Sequence, residues 1–275
     1  FLQNLLLVFR FYLTLLLVKL MDMSEHAFHI FLLVMSVLAL FVFIALYYVK
    51  AGYGMFRSRA WGGAINNKLA WMLMEAPVFL VMTYMWWNSE RRTFPVESVF
   101  FLLFQLHYLQ RSFIFPFLLR GKSRMPVAIL LMGVVFNLLN GFMQGEWIFY
   151  LSPGDLYTPH WFGTPQFIIG VILFLLGMAI NWQSDYVIRH LRKPGDTRHY
   201  LPTGGMYRYV TSANYFGEIV EWAGWAILTW SLSGAVFLWW TVANLVPRAN
   251  AIWHRYREEF GNEVGSRKRV FPFIY

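Results

Sequence analysis

The sequence predicts an all-α, polytopic membrane protein, and its composition and apolar runs support this prediction. Hydrophobic residues make up 58% of the 275 residues, and charged residues make up only 13%. An average soluble domain is less apolar and carries about 25% charged residues. Several apolar runs reach the roughly 20 residues that a helix needs to cross the hydrocarbon core of a bilayer. We therefore expect one helical membrane domain.

Residues 1–24 form an apolar segment that precedes this domain, which we place at residues 25–275. The segment contains Arg10 and Lys19 and has no small-residue cleavage site, which argues against a signal peptide. The chain begins with Phe, and Met21 and Met23 are plausible starts. We interpret the segment as an extra N-terminal helix or as sequence outside the native reading frame, and we assign it no function.

Seven membrane spans are predicted from the positions of the apolar runs. They are expected at about 28–49, 69–87, 95–118, 126–149, 164–187, 209–230 and 233–251, with ends uncertain by several residues. The short polar sequence from Ser231 to Gly234 predicts a tight hairpin between the last two spans. Nearly all of residues 25–275 would then lie within the membrane or close to it.

Lys and Arg residues fall in alternate loops, which predicts the orientation of the spans. The loops after the first, third and fifth spans and the C-terminal segment are basic, whereas residues 150–163 contain no Lys or Arg. By the positive-inside rule, the basic side is cytoplasmic. We expect a multi-pass protein of the bacterial inner membrane if the source is bacterial, or of the endoplasmic reticulum if it is eukaryotic.

The net charge of +9 raises the question of an anionic partner. Topology accounts for most of this charge, so we expect no nucleic acid partner. The cytoplasmic mouth of the bundle is the natural place for an anionic ligand. The alternative is that the basic residues only set the topology and attract anionic membrane lipid.

The stretch 181–222 organises the rest of the chain because it places polar residues at helical spacing beside apolar spans. Its two stripes are Asn181, Asp185 and Arg192, and then Asn214, Glu218 and Glu221. Ionisable groups at membrane depth are expensive and are functional candidates by default. A solvated helix end followed by a basic loop is the alternative for any one of these residues. Together, the stripes predict a polar ligand.

A second candidate site lies in the second and third spans. Glu75 sits deep in an apolar helix, two residues before Pro77, and Tyr108 shares a helix face with Arg111. A carboxylic acid that apolar surroundings keep neutral can donate a hydrogen bond. Glu75 and Tyr108 would then aim two donors at one carbonyl oxygen, which suits a reaction in which a carbonyl becomes an enolate.

The fourth span carries amides on one face, at Asn137, Asn140 and Gln144. Asparagines in membrane spans often serve only to bind neighbouring helices. A buried tyrosine such as Tyr108 is also more often a packed residue with a satisfied hydroxyl than a catalytic one. These structural interpretations stay open beside the functional ones.

A reduction of this kind needs a hydride source, and the sequence limits the choice. There is no cysteine, and no spacing of His, Asp and Glu is typical of a metal, haem or iron–sulfur site, so we predict no metal. No Gly-x-Gly-x-x-Gly follows a predicted strand, which excludes a Rossmann domain. A dinucleotide would therefore bind between helices, with its phosphates against the Arg-rich cytoplasmic loops.

These residues resemble the steroid 5α-reductase family, the 3-oxo-5α-steroid 4-dehydrogenases. The resemblance extends over roughly Ala27 to Tyr275. It is densest in GMAINWQSDYVIRHLRKPGD, LPTGGMYRYVTSANYFGEIVEWAGWA, TWSL and SRKRVFPFIY, and it includes YVKAGYG, MEAP, HYLQRSF and LLRGK. A chance match of this length and order is very improbable.

The resemblance implies a seven-helix fold with NADPH held between the later helices and the cytoplasmic loops. It also implies reduction of the Δ4 double bond of a 3-oxo steroid such as testosterone or progesterone, giving a 5α-dihydro product. Glu75 and Tyr108 would hold the 3-oxo group. The implied cofactor residues are Asn181, Asp185, Arg192, Asn214, Arg248, Tyr256, Arg120, Trp222, Glu218 and His254.

Several positions depart from the family pattern. Met74 stands where the family often has Gln, and Phe115, Leu119 and Met132 stand where human-like members have Tyr, Asn and Arg. The family His lies three residues before its Tyr, whereas His254 lies two residues before Tyr256, which leaves the role of this His open. The substrate range could therefore differ from that of vertebrate members.

Other functions remain alternatives at this stage. The substrate could be another lipid enone or enoyl lipid, which would use the same cofactor residues. A membrane methyltransferase of the isoprenylcysteine type would usually show Arg-His-Pro where this chain has Ser212-Ala213-Asn214. A scaffold without activity would leave the buried acidic residues unexplained. Several arginines near the expected phosphate region favour NADPH over NADH, and we expect a monomer.

Overall fold

A computed structural model of the chain describes residues 23–120, 123–191, 196 and 198–275. The extra N-terminal segment proposed for residues 1–24 therefore lies almost wholly outside the described residues. Within them, the fold is mostly helical, with two three-residue strands. Those strands are β1, Ala64–Asn66, and β2, Arg124–Pro126, which pair antiparallel. Their pairing brings the start of the helix Asn67–Asn88 beside the start of the helix Val127–Glu146.

Seven long helices are present in the described part of the chain, as predicted. They are α1, Glu25–Tyr48; α2, Asn67–Asn88; α3, Pro95–Leu109, which leads into a short α4, Phe115–Leu118; α5, Val127–Glu146; α6, Pro165–His190; α7, Ala213–Thr229; and α8, Leu232–Phe260. Most ends agree with the predicted spans within a few residues. The main difference is α8, which continues to Phe260, well beyond the predicted end at residue 251.

Four of these helices are long and apolar enough to cross a membrane by length and composition. They are α1, α2, α6 and α5, the last counted together with the π-helical turn Trp147–Leu151 that continues it. Their outer faces are apolar, for example at Leu33 and Phe41 of α1, which are 63% and 64% exposed. A surface of this kind suits contact with lipid chains. These features are consistent with a polytopic membrane protein.

The third predicted span is interrupted by a wide helical turn. After α3, residues Gln110–Ile114 form a π-helical turn, and regular helix resumes in α4. Pro116 has no backbone N–H, so the carbonyl of Ser112 lacks its usual donor four residues later. The amide of Phe115 donates to the carbonyl of Gln110, five residues earlier, whereas a regular α-helix would use the carbonyl four residues earlier. Turns of this type often mark functional sites, and this one contains Arg111.

The turn between α7 and α8 is the predicted hairpin. Trp230 ends α7 in a left-handed conformation, with φ 46°. The Ser231 side chain then caps α8 by accepting a bond of 3.0 Å from the Gly234 amide. A side chain at position 234 would crowd the backbone of Ala226. The two helices can therefore turn back on each other within a few residues.

Helices α6 and α7 pack backbone against backbone. Gly170 and Gly177 of α6 and Gly217 and Gly224 of α7 lie seven residues apart on facing stripes. A methyl group at any of the four would overlap main-chain atoms of the other helix. Small residues of this kind let membrane helices approach closely. The contact brings the polar stripes of the two helices into register.

The C-terminal segment returns to the start of α7. The amides of Thr211 and Ser212 donate to the carbonyls of Lys268 and Arg269, at 2.9 and 3.1 Å. Arg269 is itself fixed, because its Nε donates to Asn250 Oδ1 at 2.7 Å. Residues 268–269 therefore hold the chain where it enters α7, one turn before the polar stripe begins.

We predict that Gly177→Ala and Gly217→Ala each destabilise the fold. The added methyl meets backbone atoms that cannot change rotamer, so the cost should reach or exceed the upper part of the ~1–3 kcal/mol range for overpacking. Thermal unfolding in detergent measures the effect. Gly163→Ala is the matched control, because nothing lies within 4 Å of a methyl group at that position. Equal melting temperatures for all three variants would contradict the prediction.

Candidate active site

The amide face of α5 contacts both predicted substrate residues. Asn137 Nδ2 lies 3.2 Å from Glu75 Oε2 and 2.7 Å from the Met74 carbonyl oxygen. One turn further on, Asn140 Nδ2 lies 3.2 Å from the Tyr108 hydroxyl. Two neighbouring amides of one helix thus hold a residue of α2 and a residue of α3. The fourth-span amides, for which a helix-binding role was equally open, bind the candidate catalytic pair.

The third amide anchors this arrangement. Gln144 Nε2 donates to the Ser233 carbonyl at 2.9 Å and approaches Asn140 Oδ1 at 3.4 Å. Gln144 Oε1 accepts from Trp225 Nε1 at 2.9 Å. Asn140 and Gln144 are both fully buried. Because the Asn140 oxygen is occupied, its NH₂ group must face Tyr108, so the tyrosine oxygen accepts and its own hydrogen is available to another acceptor.

A buried pair links α3 to α7 beside Tyr108. His107 Nδ1 lies 2.7 Å from Glu221 Oε1, and both side chains are almost completely buried. The Trp222 ring packs 4.6 Å from the His107 ring and 5.9 Å from the Tyr108 ring, measured between centroids. Trp222, one of the implied cofactor residues, is 1% exposed. It therefore forms part of a packed wall next to Tyr108.

Arg111 lies where the two candidate sites meet. Its Nη1 is 3.5 Å from Asp185 Oδ2, and its Nη2 is 3.8 Å from Glu218 Oε2. The guanidinium also lies 4.6 Å from the Trp71 ring and 4.5 Å from the Phe115 ring. These ring contacts stabilise a cation that is largely withdrawn from solvent.

The alternative to a cofactor role for Glu218 or Glu221 was that one of them pairs with an in-membrane arginine such as Arg111, and the pair with Glu218 is found. No further role was assigned to Arg111 from the sequence, although it shares a face with Tyr108. The sequence signal was a basic residue inside a predicted span, in a chain whose later spans carry two polar stripes with acidic residues. Helical spacing in the sequence does not reveal the π-helical turn that positions the Arg111 side chain. Phe115, one of the departures from the family pattern, forms one side of the arginine site.

The polar stripes of α6 and α7 form one connected network. Asn181 Nδ2 donates to the Asn214 carbonyl at 3.0 Å and lies 3.5 Å from Glu218 Oε2. Asn214 Nδ2 lies 3.4 Å from Asp185 Oδ1. The buried Tyr207 hydroxyl lies 3.4 Å from Asn214 Oδ1. The structure therefore brings together four of the predicted cofactor residues.

The remaining basic candidates are distributed around the end of α6 and the following loop. Arg120 Nη2 lies 3.0 Å from His190 Nε2, which joins the end of α4 to the end of α6. Arg192 lies outside the described residues. In the loop, hydrogen bonds from Arg198 and then from Tyr200 hold the pKa of Asp196 well below its usual range.

Arg248 of α8 makes contacts that hold the fold together. Its Nε donates to Tyr215 Oη at 2.8 Å, and its Nη1 and Nη2 donate to the carbonyls of Ala51 and Tyr53, at 3.3 and 3.1 Å. The guanidinium also lies 3.7 Å from the Tyr53 ring centroid. Arg248 thus ties the loop after α1 to α7. These contacts already use much of the hydrogen-bond donor capacity of the guanidinium. The cofactor role of Arg248 is not tested by them and stays a prediction.

His254 and Tyr256 lie further along α8. His254 is exposed, and its ring packs on the neighbouring Trp253 at 5.1 Å. Tyr256 is half-buried, and its ring packs on Phe260 at 5.7 Å. Two helical positions correspond to about 200° around the axis, so the two side chains project from nearly opposite faces. Their proposed cofactor roles are not tested by these contacts.

Sequence comparison assigns the chain to a family. The family of 3-oxo-5-alpha-steroid 4-dehydrogenases matches residues 123–275. The chain is 36% identical over 260 residues to steroid 5-alpha-reductase DET2 of Gossypium hirsutum, covering 93% of this chain and 100% of the relative. The chain belongs to the 3-oxo-5-alpha-steroid 4-dehydrogenase family. The resemblance inferred from the sequence is confirmed.

Animal members of the family are equally similar. Over 214 residues, the chain is 38% identical to 3-oxo-5-alpha-steroid 4-dehydrogenase 1 of Homo sapiens, covering 77% of this chain and 81% of the relative. Over 236 residues, it is 38% identical to 3-oxo-5-alpha-steroid 4-dehydrogenase 2 of Sus scrofa, covering 84% and 91%. The match to the family therefore extends well beyond the region that contains α5 to α8.

We predict that Arg111→Gln destabilises the protein by roughly 3 kcal/mol, because it leaves Asp185 and Glu218 without their cation in a site of low dielectric. Thermal unfolding in detergent checks this. Arg57→Gln is the control, since Arg57 is exposed in a cytoplasmic loop of the predicted topology. If Arg111→Gln unfolds at the same temperature as the wild type, the guanidinium does not support the two carboxylates.

Proposed function

We propose that the chain is a membrane-embedded, NADPH-dependent reductase of the Δ4 double bond of 3-oxo steroids, such as testosterone and progesterone, with 5α-dihydro products. Family membership supports the reaction class. The observation that carries the proposal is the pair of bonds from Asn137 to Glu75 and from Asn140 to Tyr108. These bonds hold two potential donors, from different helices, against neighbouring amides of α5.

The donor pair fits the 3-oxo group of the substrate. Tyr108 accepts from Asn140 and retains its own O–H hydrogen for the carbonyl oxygen. Asn137 occupies one carboxyl oxygen of Glu75, and in its neutral form Glu75 donates a second hydrogen bond. Two donors that are already in place lower the energy of an enolate without reorganisation.

The reaction then follows from charge movement in the conjugated ketone. A hydride added at the β-carbon moves the double-bond electrons toward the carbonyl oxygen, where Glu75 and Tyr108 stabilise the resulting enolate. A proton added at the α-carbon completes the product and restores the ketone. When bound, NADPH supplies the hydride. The Trp222 ring, which packs beside Tyr108, is proposed to form the wall behind the reacting face.

The residues of α6 and α7 fit a dinucleotide. Besides the network of Asn181, Asp185 and Asn214, the hydroxyls of Ser184 and Ser212 are buried and have no hydrogen-bond partner within the described residues. Buried polar atoms usually have a partner, and a ligand is one way to provide it. Ser212 also stands at the N-terminus of α7, where the helix dipole favours an anion.

The choice of NADPH over NADH is proposed from charge. Arg120, in the segment after α4, lies against His190 at the end of α6, and Arg192 follows His190 two residues later in the sequence. An arginine can hold an additional 2′-phosphate by two parallel hydrogen bonds. We propose that the end of the bundle that carries these arginines faces the cytoplasm, because the basic loops lie on that side.

We predict that Glu75→Gln and Tyr108→Phe each lower kcat by about 10²–10³-fold, the usual cost of one oxyanion donor. Mass spectrometry of testosterone or progesterone incubated with purified protein and NADPH measures the product, which gains two hydrogens. Tyr84→Phe is the control, because Tyr84 lies near the opposite end of α2. NADPH binding should be unchanged in all three variants.

The possible outcomes separate the alternatives. Loss of product with NADPH binding retained establishes the donor pair. Wild-type protein that binds NADPH but yields no reduced steroid would direct the search to another lipid enone. Full activity in both Glu75→Gln and Tyr108→Phe would contradict the proposed roles of these residues.

We predict that Asp185→Asn and Asn214→Ala raise the Kd for NADPH about tenfold or more, because each removes polar contacts of a buried network. Fluorescence titration of NADPH measures the affinity. Asn88→Ala is the control, since Asn88 is exposed at the opposite end of the bundle. Binding of S-adenosylmethionine instead of NADPH would favour a methyltransferase and overturn the proposal.

A further inference from the structure

An outward-facing groove separates α6 from the 3₁₀ turn Gly205–Arg208. It is a shallow, largely open groove of about 550 Å³, and its lining includes Ala179, Gln183, Met206, Arg208 and Tyr209. Beside the groove, Gly205 has a φ of 58° and the Gln183 side chain packs directly against it, so a side chain at position 205 would overlap Gln183. This surface takes no part in the proposed chemistry.

The groove continues an apolar track along α6. Ile172, Leu176, Ala179 and Gln183 follow one another at spacings of four, three and four residues, so they share one face of the helix. Ile172 is 59% exposed and Leu176 is 50% exposed. In a membrane-spanning helix, this exposed face meets lipid chains. The track therefore leads from the bilayer into the groove.

The other end of the groove is cationic and polar. Arg208 is exposed, and no carboxylate of the described residues forms an ion pair with it. Gln183 adds an amide, and Tyr209 is 45% exposed beside them. Tyrosines with one apolar and one wet side are typical of the membrane interface. One end of the groove is apolar and the other is cationic. This arrangement matches a phospholipid whose acyl chain lies at the apolar end and whose phosphate lies at Arg208.

The turn that forms the groove also supports the cofactor network. Met206 and Arg208 face the groove, whereas Tyr207 between them is fully buried and its hydroxyl approaches Asn214 at 3.4 Å. Asn214 in turn contacts Asp185. An occupant of the groove would therefore restrain the turn that holds Tyr207 in place.

We propose that this groove binds one anionic phospholipid, with its phosphate at Arg208 and Gln183 and one acyl chain along Ala179, Leu176 and Ile172. A bound lipid stabilises the Gly205–Arg208 turn and so favours binding of the cofactor on the inner side. The effect on cofactor affinity rests on the proposed function. Lipid binding itself does not.

Native mass spectrometry of the detergent-purified protein with dioleoylphosphatidylglycerol tests the site, with dioleoylphosphatidylcholine as the neutral comparison. We expect preferential retention of the anionic lipid. Arg208→Ala should weaken this retention about fivefold, the usual effect of one basic residue on binding to anionic lipid. Ala179→Trp keeps the charge but fills the groove, and it should weaken binding of the same lipid. Arg57→Ala is the matched control and should bind as the wild type does.

Titration of NADPH in nanodiscs of the two lipids tests the coupling. The wild type and Arg57→Ala should bind NADPH more tightly in the anionic lipid, by about the same factor of five. Arg208→Ala and Ala179→Trp should show no difference between the lipids. If NADPH binds in neither lipid, the proposed function fails while the lipid result still stands.

Three outcomes would overturn the proposal. The first is equal retention of both lipids by the wild type. The second is unchanged retention of the anionic lipid in both Arg208→Ala and Ala179→Trp. The third is a loss of NADPH affinity in Arg208→Ala that is equally large in the neutral lipid, because Arg208 would then contact the cofactor directly.

Discussion

The close contact between α6 and α7 is the constraint on which the rest of the site depends. Four glycines let the two backbones touch, so Asn181 and Asp185 on one helix face Asn214 and Glu218 on the other. Ordinary side chains at the glycine positions would separate the helices by several ångströms and break these bonds. The polar network is therefore a consequence of absent side chains as much as of the residues that form it.

The candidate site combines two halves that are built differently. The half proposed for the substrate takes Glu75 from α2 and Tyr108 from α3, and the amides of α5 orient both. The half proposed for the cofactor belongs to α6 and α7. Arg111 and the His107–Glu221 pair connect the halves across α3 and α7. A change in either half would reach the other through these buried polar contacts, which lie in a medium of low dielectric.

Much of this arrangement could be predicted from the sequence. The seven helices, the hairpin at Ser231 and the clustering of Asn181, Asp185, Asn214 and Glu218 follow from apolar run length and helical spacing. The roles of Asn137 and Asn140 did not follow, because spacing identifies a face but not the neighbour that this face meets. The pairing of Arg111 with an acidic residue of the second stripe was an alternative from the sequence and is found with Glu218, but the place of Arg111 between the two candidate sites did not follow. Its position depends on a π-helical turn, which a pattern that assumes regular helix cannot show.

That turn has one more consequence. A π-helical turn holds one residue more than the α-helix it replaces, so the segment from α3 to α4 depends on its residue count. Removing Ser112 would restore regular helix and rotate Tyr108 relative to Phe115 by about 100°. The tyrosine and the aromatic support of Arg111 could then no longer face the same centre. Over the course of evolution, this segment should accept changes of residue type far more readily than changes of length.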